Sequence, residues 1–284
     1  MRGTTRRVLR ACGATVLALV LPATASAQRV LLEIRPEPGD TIRIRVEQRT
    51  EVHGERRRGS AVDATRRVAM SLRLWSRAIV LERLPSATMV LTVTDSVRLT
   101  TTDVHARDLA KTTERSLAGR SMRLRLASDG TARLVSEGGE RELSAMVSAM
   151  PAALPLQPVS VGDSWRREMP VPSADPFAAD GGMIRAVFRL DSLSRDRSLA
   201  WITVRGELSR EPAPAGGGRA GAAMTGKLTG TIVLDRRRGW LDDADFSLNV
   251  LTTVAPESGS ATSPMQVRTT IVQRMRVEGR RAKP

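Results

Sequence analysis

Two histidines, His53 and His105, and the acidic run Asp242, Asp243 and Asp245 are the side chains of this sequence best suited to proton transfer or metal binding. A Ser-His-Asp triad or a histidine metal site would have to work with one histidine alone. His53 stands beside an Arg-rich turn and His105 in a stretch without clear periodicity. The three aspartates lack the spacing and the glycine of a calcium loop, and a solvated turn explains them better. No G-x-S-x-G elbow is present. Two glycine patterns suggest phosphate binding. Gly216 to Gly221 matches G-x-G-x-x-G, and Gly221 to Lys227 matches G-x-x-x-x-G-K. The first lacks a strand before it and a helix after it, and in the second Leu228 replaces the Ser or Thr that holds magnesium. A low-complexity loop accounts for both. The expectation is a protein with no catalytic residues, no metal and no cofactor.

The elements that would have to position any site are strands. Ile42, Ile44 and Val46 alternate with Arg43, Arg45, Glu47 and Arg49, and Met70, Leu72 and Leu74 alternate with Arg73, Trp75 and Arg77. Such two-residue periodicity describes a sheet with one buried and one wetted face. The same pattern covers Met89 to Leu99, Ser121 to Ser136 with an Asp129-Gly130 hairpin, and Ile184 to Leu190. It recurs at Leu199 to Leu208, Leu228 to Leu234, Ala244 to Val254 and Met265 to Val277. His53 to Asp63 is expected to turn the chain, and Glu211 to Ala223 to form a surface loop. His105 to Leu117 is compatible with a loop or a short helix.

One segment differs from all of these. Leu143, Met146, Val147 and Met150 fall at i, i+3, i+4 and i+7, so a short helix over about residues 140–150 is expected, ended by Pro151. Pro155 and Pro158 then hold the chain extended. The fold class expected is mainly β: a large curved antiparallel sheet or half-barrel with this one short covering helix. The expected domain, 28–284, consists of two halves, 28–136 and 183–279, joined by the helix and Pro-rich crossover of 140–182.

Residues 1–27 have the form of a secretory signal peptide. Arg2, Arg6, Arg7 and Arg10 precede an apolar run from Ala14 to Leu21, and Ala25-Ser26-Ala27 suits cleavage before Gln28. The expected location is the periplasm or the extracellular space. The expected mature chain contains no transmembrane segment, since no later run approaches the roughly 18 to 20 apolar residues that a helical span needs. Cys12, the only cysteine, lies within the leader, so the mature chain has no thiol for disulfide, nucleophile or metal. The formal charge of +15 includes the four leader arginines, leaving +11. Arginine supplies nearly all of the positive charge and is spread along the strands without interleaved aromatics. Nucleic acid is therefore not an expected partner, whereas an anionic envelope surface is.

Two motifs stand out: P-V-S-V-G-D-S-W, ending at Trp165, and T-G-T-I-V-L-D-R-R-R-G-W-L, Thr229 to Leu241. Together with the Asp129-Gly130 hairpin they resemble uncharacterised secreted bacterial families, known mainly as domains of unknown function. Those families carry a P-V-x-V-G-D-S-W turn and a G-x-x-x-x-D-x-x-x-G-x-L hairpin at matching places. The likeness covers about Ser121 to Leu251 and implies a fold, not an activity. At the level of fold alone the pattern is similar to periplasmic lipoprotein-carrier half-barrels, whose concave sheet accepts acyl chains. The residue chemistry suggests structural roles. Gly162 would take a left-handed backbone angle, Asp163 or Ser164 would bond a nearby N–H, and Trp165 would cap the core edge. Asp235 to Gly239 would form a hairpin turn, followed by Trp240.

Three functions follow. The first is an exported binding or carrier module for an apolar or acyl-bearing ligand, non-catalytic, with arginines at its rim for an anionic head. The second is an envelope scaffold or interaction protein with a filled core. The third is a hydrolase. A filled core and a lined cavity share one alternating pattern, so the sequence does not separate the first two.

Overall fold

The computed structural model describes residues 29–58, 61–135, 153–170, 183–210, 222–254 and 265–278. Their strands are β1 (Thr41–Arg58), β2 (Ala61–Leu84), β3 (Ala87–Thr101), β4 (Ser121–Ala127), β5 (Ala132–Leu134) and β6 (Ser164–Pro170). β7 (Met183–Leu193), β8 (Leu199–Arg210), β9 (Ala222–Asp235), β10 (Trp240–Val254) and β11 (Met265–Glu278) follow. They form one open antiparallel sheet in the order β5-β4-β3-β2-β1-β11-β10-β9-β8-β7-β6. The first five strands and the last six are two meanders, and the long-range pairing of β1 with β11 joins them into a single sheet.

The sheet is rolled. Eight strand spacings separate β4 from β7, roughly 40 Å across a flat sheet. Yet Leu126 of β4 and Ile184 of β7 line one cavity. Beyond these, Arg167 of β6 lies 3.8 Å from Asp129 in the β4–β5 turn. Strand twist and the bulges in the β2–β3, β7–β8 and β9–β10 pairings contribute to this curl. So do small residues on the inner face. A Cβ on Gly230 would overlap the Phe246 ring on the neighbouring strand, and one on Gly206 would come within 2.7 Å of Ile184. Their absence lets the concave side contract and lets Phe246 cover the bare backbone.

One end of the roll is plugged. The extended strap 29–40 buries Val30, Leu32, Ile34 and Pro36 and exposes Arg29, Leu31 and Arg35 between them. It is tied across the end by Ile34 N–H to the Ser128 carbonyl (2.8 Å), Arg35 N–H to the Gly239 carbonyl (2.8 Å), and a two-way bridge between Val30 and Val159. Leu154, fully buried, fills the gap beside it, and its N–H bonds the Asp129 carbonyl at 3.0 Å. Each such fully buried aliphatic side chain stabilises the fold by about 1.5–3 kcal/mol.

The helix expected over residues 140–150 lies outside the described residues. The helix the structure describes is α1 (Arg107–Leu117), in the stretch without clear periodicity. It lies along the edge of β3 beyond the point where β4 pairing ends. Gly119 N–H bonds the Thr94 carbonyl, Thr94 N–H bonds the Arg120 carbonyl, and the Glu114 carboxylate accepts from Leu99 N–H. α1 and the turn that follows it therefore satisfy strand-edge groups, and Ala110 is the one buried residue of the helix. A second difference concerns residues 53–63. β1 continues to Arg58 and β2 resumes at Ala61, so the Arg-rich stretch extends the hairpin. His53, Arg56, Arg66 and Arg67 are solvent-exposed there, so polar side chains impose no burial cost on the strands.

Candidate functional site

Register fixes which side chains share the hollow. One row across the inner face runs Leu72, Gln48, Gln273, Phe246, Gly230, Val204, Phe188 and Trp165, each directly opposite the next. The neighbouring row towards the plug runs Leu74, Val46, Met275, Ala244, Ile232, Ile202 and Leu190. A cavity of about 180 Å³ spans these rows and the next ones along the strands, with the plug as its other wall. Ile34, Ala153 and Leu154 of the plug wall one side. Ile44, Met169, Ile184, Leu228, Ile232, Trp240, Phe246, Leu248, Ile271 and Met275 of the sheet supply most of the rest. Gln273 is the one polar side chain in the lining, and none of the lining side chains is charged. An apolar hollow of this size is comparable with an engineered cavity of about 150 Å³ that stays dry and binds benzene.

The motif residues build the walls and the plug. Ser160 to Asp163 is a turn closed by Asp163 N–H to the Ser160 carbonyl (3.0 Å), with Gly162 at φ +95° in the third position. That angle is strained for any side-chain-bearing residue. Asp163 Oδ2 accepts from Ser160 N–H at 2.8 Å, and the turn is pinned to β7 by Gly162 N–H to the Leu190 carbonyl. Trp165 stacks on Phe188 with ring centroids 5.9 Å apart, and its indole N–H bonds the Ala153 carbonyl at 2.9 Å. Trp165 thus fastens the plug to β6. Asp235 Oδ1 accepts from the N–H groups of Arg237 and Arg238, both at 3.0 Å, and shapes the β9–β10 hairpin. Gly239, at φ +62°, packs directly on the Arg35 backbone, where a Cβ would collide. Trp240 is buried and lines the cavity. Gly162, Asp163 and Asp235 shape turns at the plugged end, Gly239 packs against the strap, and Trp165 ties β6 to Ala153. Of the six, Trp240 alone lines the cavity.

The remaining candidates lie elsewhere. His53 is on the outer face of β1, in a polar hollow of about 310 Å³ with Glu51, Glu55, Arg67 and Arg268. Arg67 and Arg49 both reach Glu51 at 2.8 Å. His105 is exposed in a 3-10 turn, Val104–Ala106. Asp243 and Asp245 are paired with Arg276 (3.2 Å) and Arg274 (2.6 Å) on the neighbouring strand. Gly226 and Lys227 sit within β9, so the second glycine pattern ends in a strand. The rest of both glycine patterns falls outside the described residues, apart from residues 222–225 of β9.

Arginine dominates the outer face as one side of an ion-pair ladder. The Arg45 guanidinium hydrogen-bonds Glu47 and holds its carboxyl below the usual range, and Arg67 does the same to Glu51. Asp245 raises Arg274. In the β7–β8 turn the Ser194 and Ser198 hydroxyls and the Ser198 N–H lower Asp196. Each shift favours the charged form on a solvent-exposed group. On the inner face, Arg167 bonds the Leu154 carbonyl and faces Asp129, so it braces the plug. The arrangement can therefore enclose an apolar body and offer an amide to it.

Neither the strap nor the two inward glutamines was picked out from the sequence. A signal for the glutamines exists: Gln48 and Gln273 each occupy an inward position of an otherwise apolar alternation.

No family model matches this chain, and no curated protein does. Among solved structures, lipovitellin, described for its lipid–protein interactions, is similar over 86% of this chain at 9% identity and a TM-score of 0.48. The match spans 26% of the lipovitellin chain. An outer membrane channel from Pseudomonas putida F1 matches 87% of this chain and 97% of its own at 10% identity and a TM-score of 0.23. At these values neither likeness assigns an activity.

Proposed function

We propose that the chain is an exported, non-catalytic binding or carrier module that holds an apolar or acyl-bearing ligand in the hollow of its rolled sheet. The apolar cavity of about 180 Å³ between plug and sheet carries this reading. Its mechanism is reversible burial, at roughly 25 cal/mol for each Å² of apolar surface removed from water. The cavity accommodates a ring or a short alkyl segment. A longer acyl chain continues along the inner face past Leu72 towards Met70, where the apolar side chains are only partly covered. Export follows from the leader, residues 1–27, with Gln28 as the first mature residue.

Native mass spectrometry of Gln28 to Pro284, purified from a periplasmic fraction without detergent, followed by lipid extraction, tests the proposal. A co-purified apolar molecule in stoichiometric amount is expected. An apo mass that stays unchanged after incubation with envelope lipids would favour the scaffold reading. The exposed outer-face Trp201, Val187 and Val272 would then be its natural contact points.

A further inference from the structure

Two glutamines interrupt the inner face where an apolar residue would otherwise stand. Gln48 of β1 and Gln273 of β11 are directly opposite each other, flanked in their row by Leu72 and Phe246. Gln48 Nε2 donates to Thr50 Oγ1 at 3.3 Å, and Thr50 is itself buried on the same face. The Gln273 amide borders the cavity and makes no side-chain hydrogen bond among the described residues. Both side chains are half-buried and their amides reach water, so a ligand that displaces that water from the inner face must replace its hydrogen bonds. If the inner face served only to pack a core, leucine at both positions would serve better.

We propose that the ligand carries an uncharged hydrogen-bonding group, a hydroxyl, ester or amide, which Gln273 meets on the wall of the apolar cavity with Gln48 beside it. The inference rests on the reading of the hollow as an apolar site. It narrows the ligand class to neutral lipids and similar molecules, in place of a ligand whose anionic head is met by arginines. A carboxylate brought to Gln273 would leave water without meeting a cation from the cavity lining. An amide donor does not compensate for that loss, whereas an alcohol or ester exchanges one neutral hydrogen bond for another. The two amides together can both donate and accept, which suits a hydroxyl.

The test is calorimetric titration of Gln28 to Pro284, at a pH where carboxylates are ionised, with dodecanol and with dodecanoate, each below its aggregation concentration. Dodecanol is expected to bind at least about tenfold more tightly than dodecanoate. Gln273→Leu should weaken dodecanol about tenfold and shrink the preference, with Gln48→Leu having a smaller effect of the same sign. Equal or tighter binding of dodecanoate to the unmodified protein would overturn the inference while leaving the apolar site intact. Binding of neither ligand would overturn the inference together with the proposed function. The comparison of the two ligands on the unmodified protein stands even if a variant fails to fold.

Discussion

At the plugged end of the sheet Leu154 and Leu32 are fully enclosed, whereas at the open end Met70, on the same inner face, is 37% exposed. Both ends are built from strands with the same inward and outward alternation. The difference comes from two segments that are not strands of the sheet: the strap 29–40 and the stretch 153–161. They convert one end of a curved sheet into a packed core. Further along, the same curved face becomes first a cavity and then a partly open wall.

Stability should therefore be concentrated at the plug. Gly239→Val forces a Cβ into the Arg35 backbone at a left-handed angle. We expect a loss of about 3 kcal/mol or more and a fall in thermal midpoint of about 10 °C by scanning calorimetry. Leu154→Ala, which empties a fully buried site, should cost about 2–5 kcal/mol in urea unfolding, whereas Leu72→Ala on the open part of the same face should cost about 1 kcal/mol. Equal losses at the two leucines would remove the distinction between the ends. Trp165→Phe keeps the stack on Phe188 but deletes the bond to the Ala153 carbonyl, and should cost about 1 kcal/mol.

The outer-face ladder should contribute least, and its contribution should depend on pH. Glu47 and Glu51 have carboxyls held below their ordinary range by arginine partners. A depressed folded-state value stabilises the fold above the unfolded-state value, near pH 4, and the stabilisation fades as pH falls through the folded value. The thermal midpoint should thus drop modestly below about pH 4. Glu47→Gln together with Glu51→Gln should flatten that drop without altering the effect of Leu154→Ala.

Much of this architecture was legible in the sequence. The alternation of Ile184, Ala186, Phe188 and Leu190 against Arg185, Val187 and Arg189 is the buried and exposed pattern of β7. Gly162 at φ +95°, the bond from Ser160 N–H to Asp163 and the bonds from Arg237 and Arg238 N–H to Asp235 are local features, within reach of a few neighbouring residues in the chain. α1 was legible only as one of two alternatives, a loop or a short helix over His105 to Leu117, because it lacks a broad apolar stripe and docks through strand-edge hydrogen bonds. The strap was missed for a different reason: four buried residues in a short segment do not reveal that they cross the end of a sheet. The cavity was hidden because alternation specifies a face and is silent on what lies opposite it. Gln48 and Gln273 were visible only as departures from an apolar rhythm, whose meaning requires the register that places them side by side.

The chain's four tryptophans allow the hollow to be probed directly. Trp240 lines the cavity, whereas Trp75 and Trp201 face outwards. Tryptophan fluorescence should be measured while a brominated long-chain alcohol, a contact quencher, is titrated into the unmodified protein and into Trp240→Phe and Trp201→Phe variants. If the hollow is the binding site, quenching saturates, is reduced in Trp240→Phe to what remains at the inner-face Trp165, and is undiminished in Trp201→Phe. Quenching that never saturates, or that is unchanged in Trp240→Phe, would place the alcohol elsewhere and contradict a ligand site inside the rolled sheet.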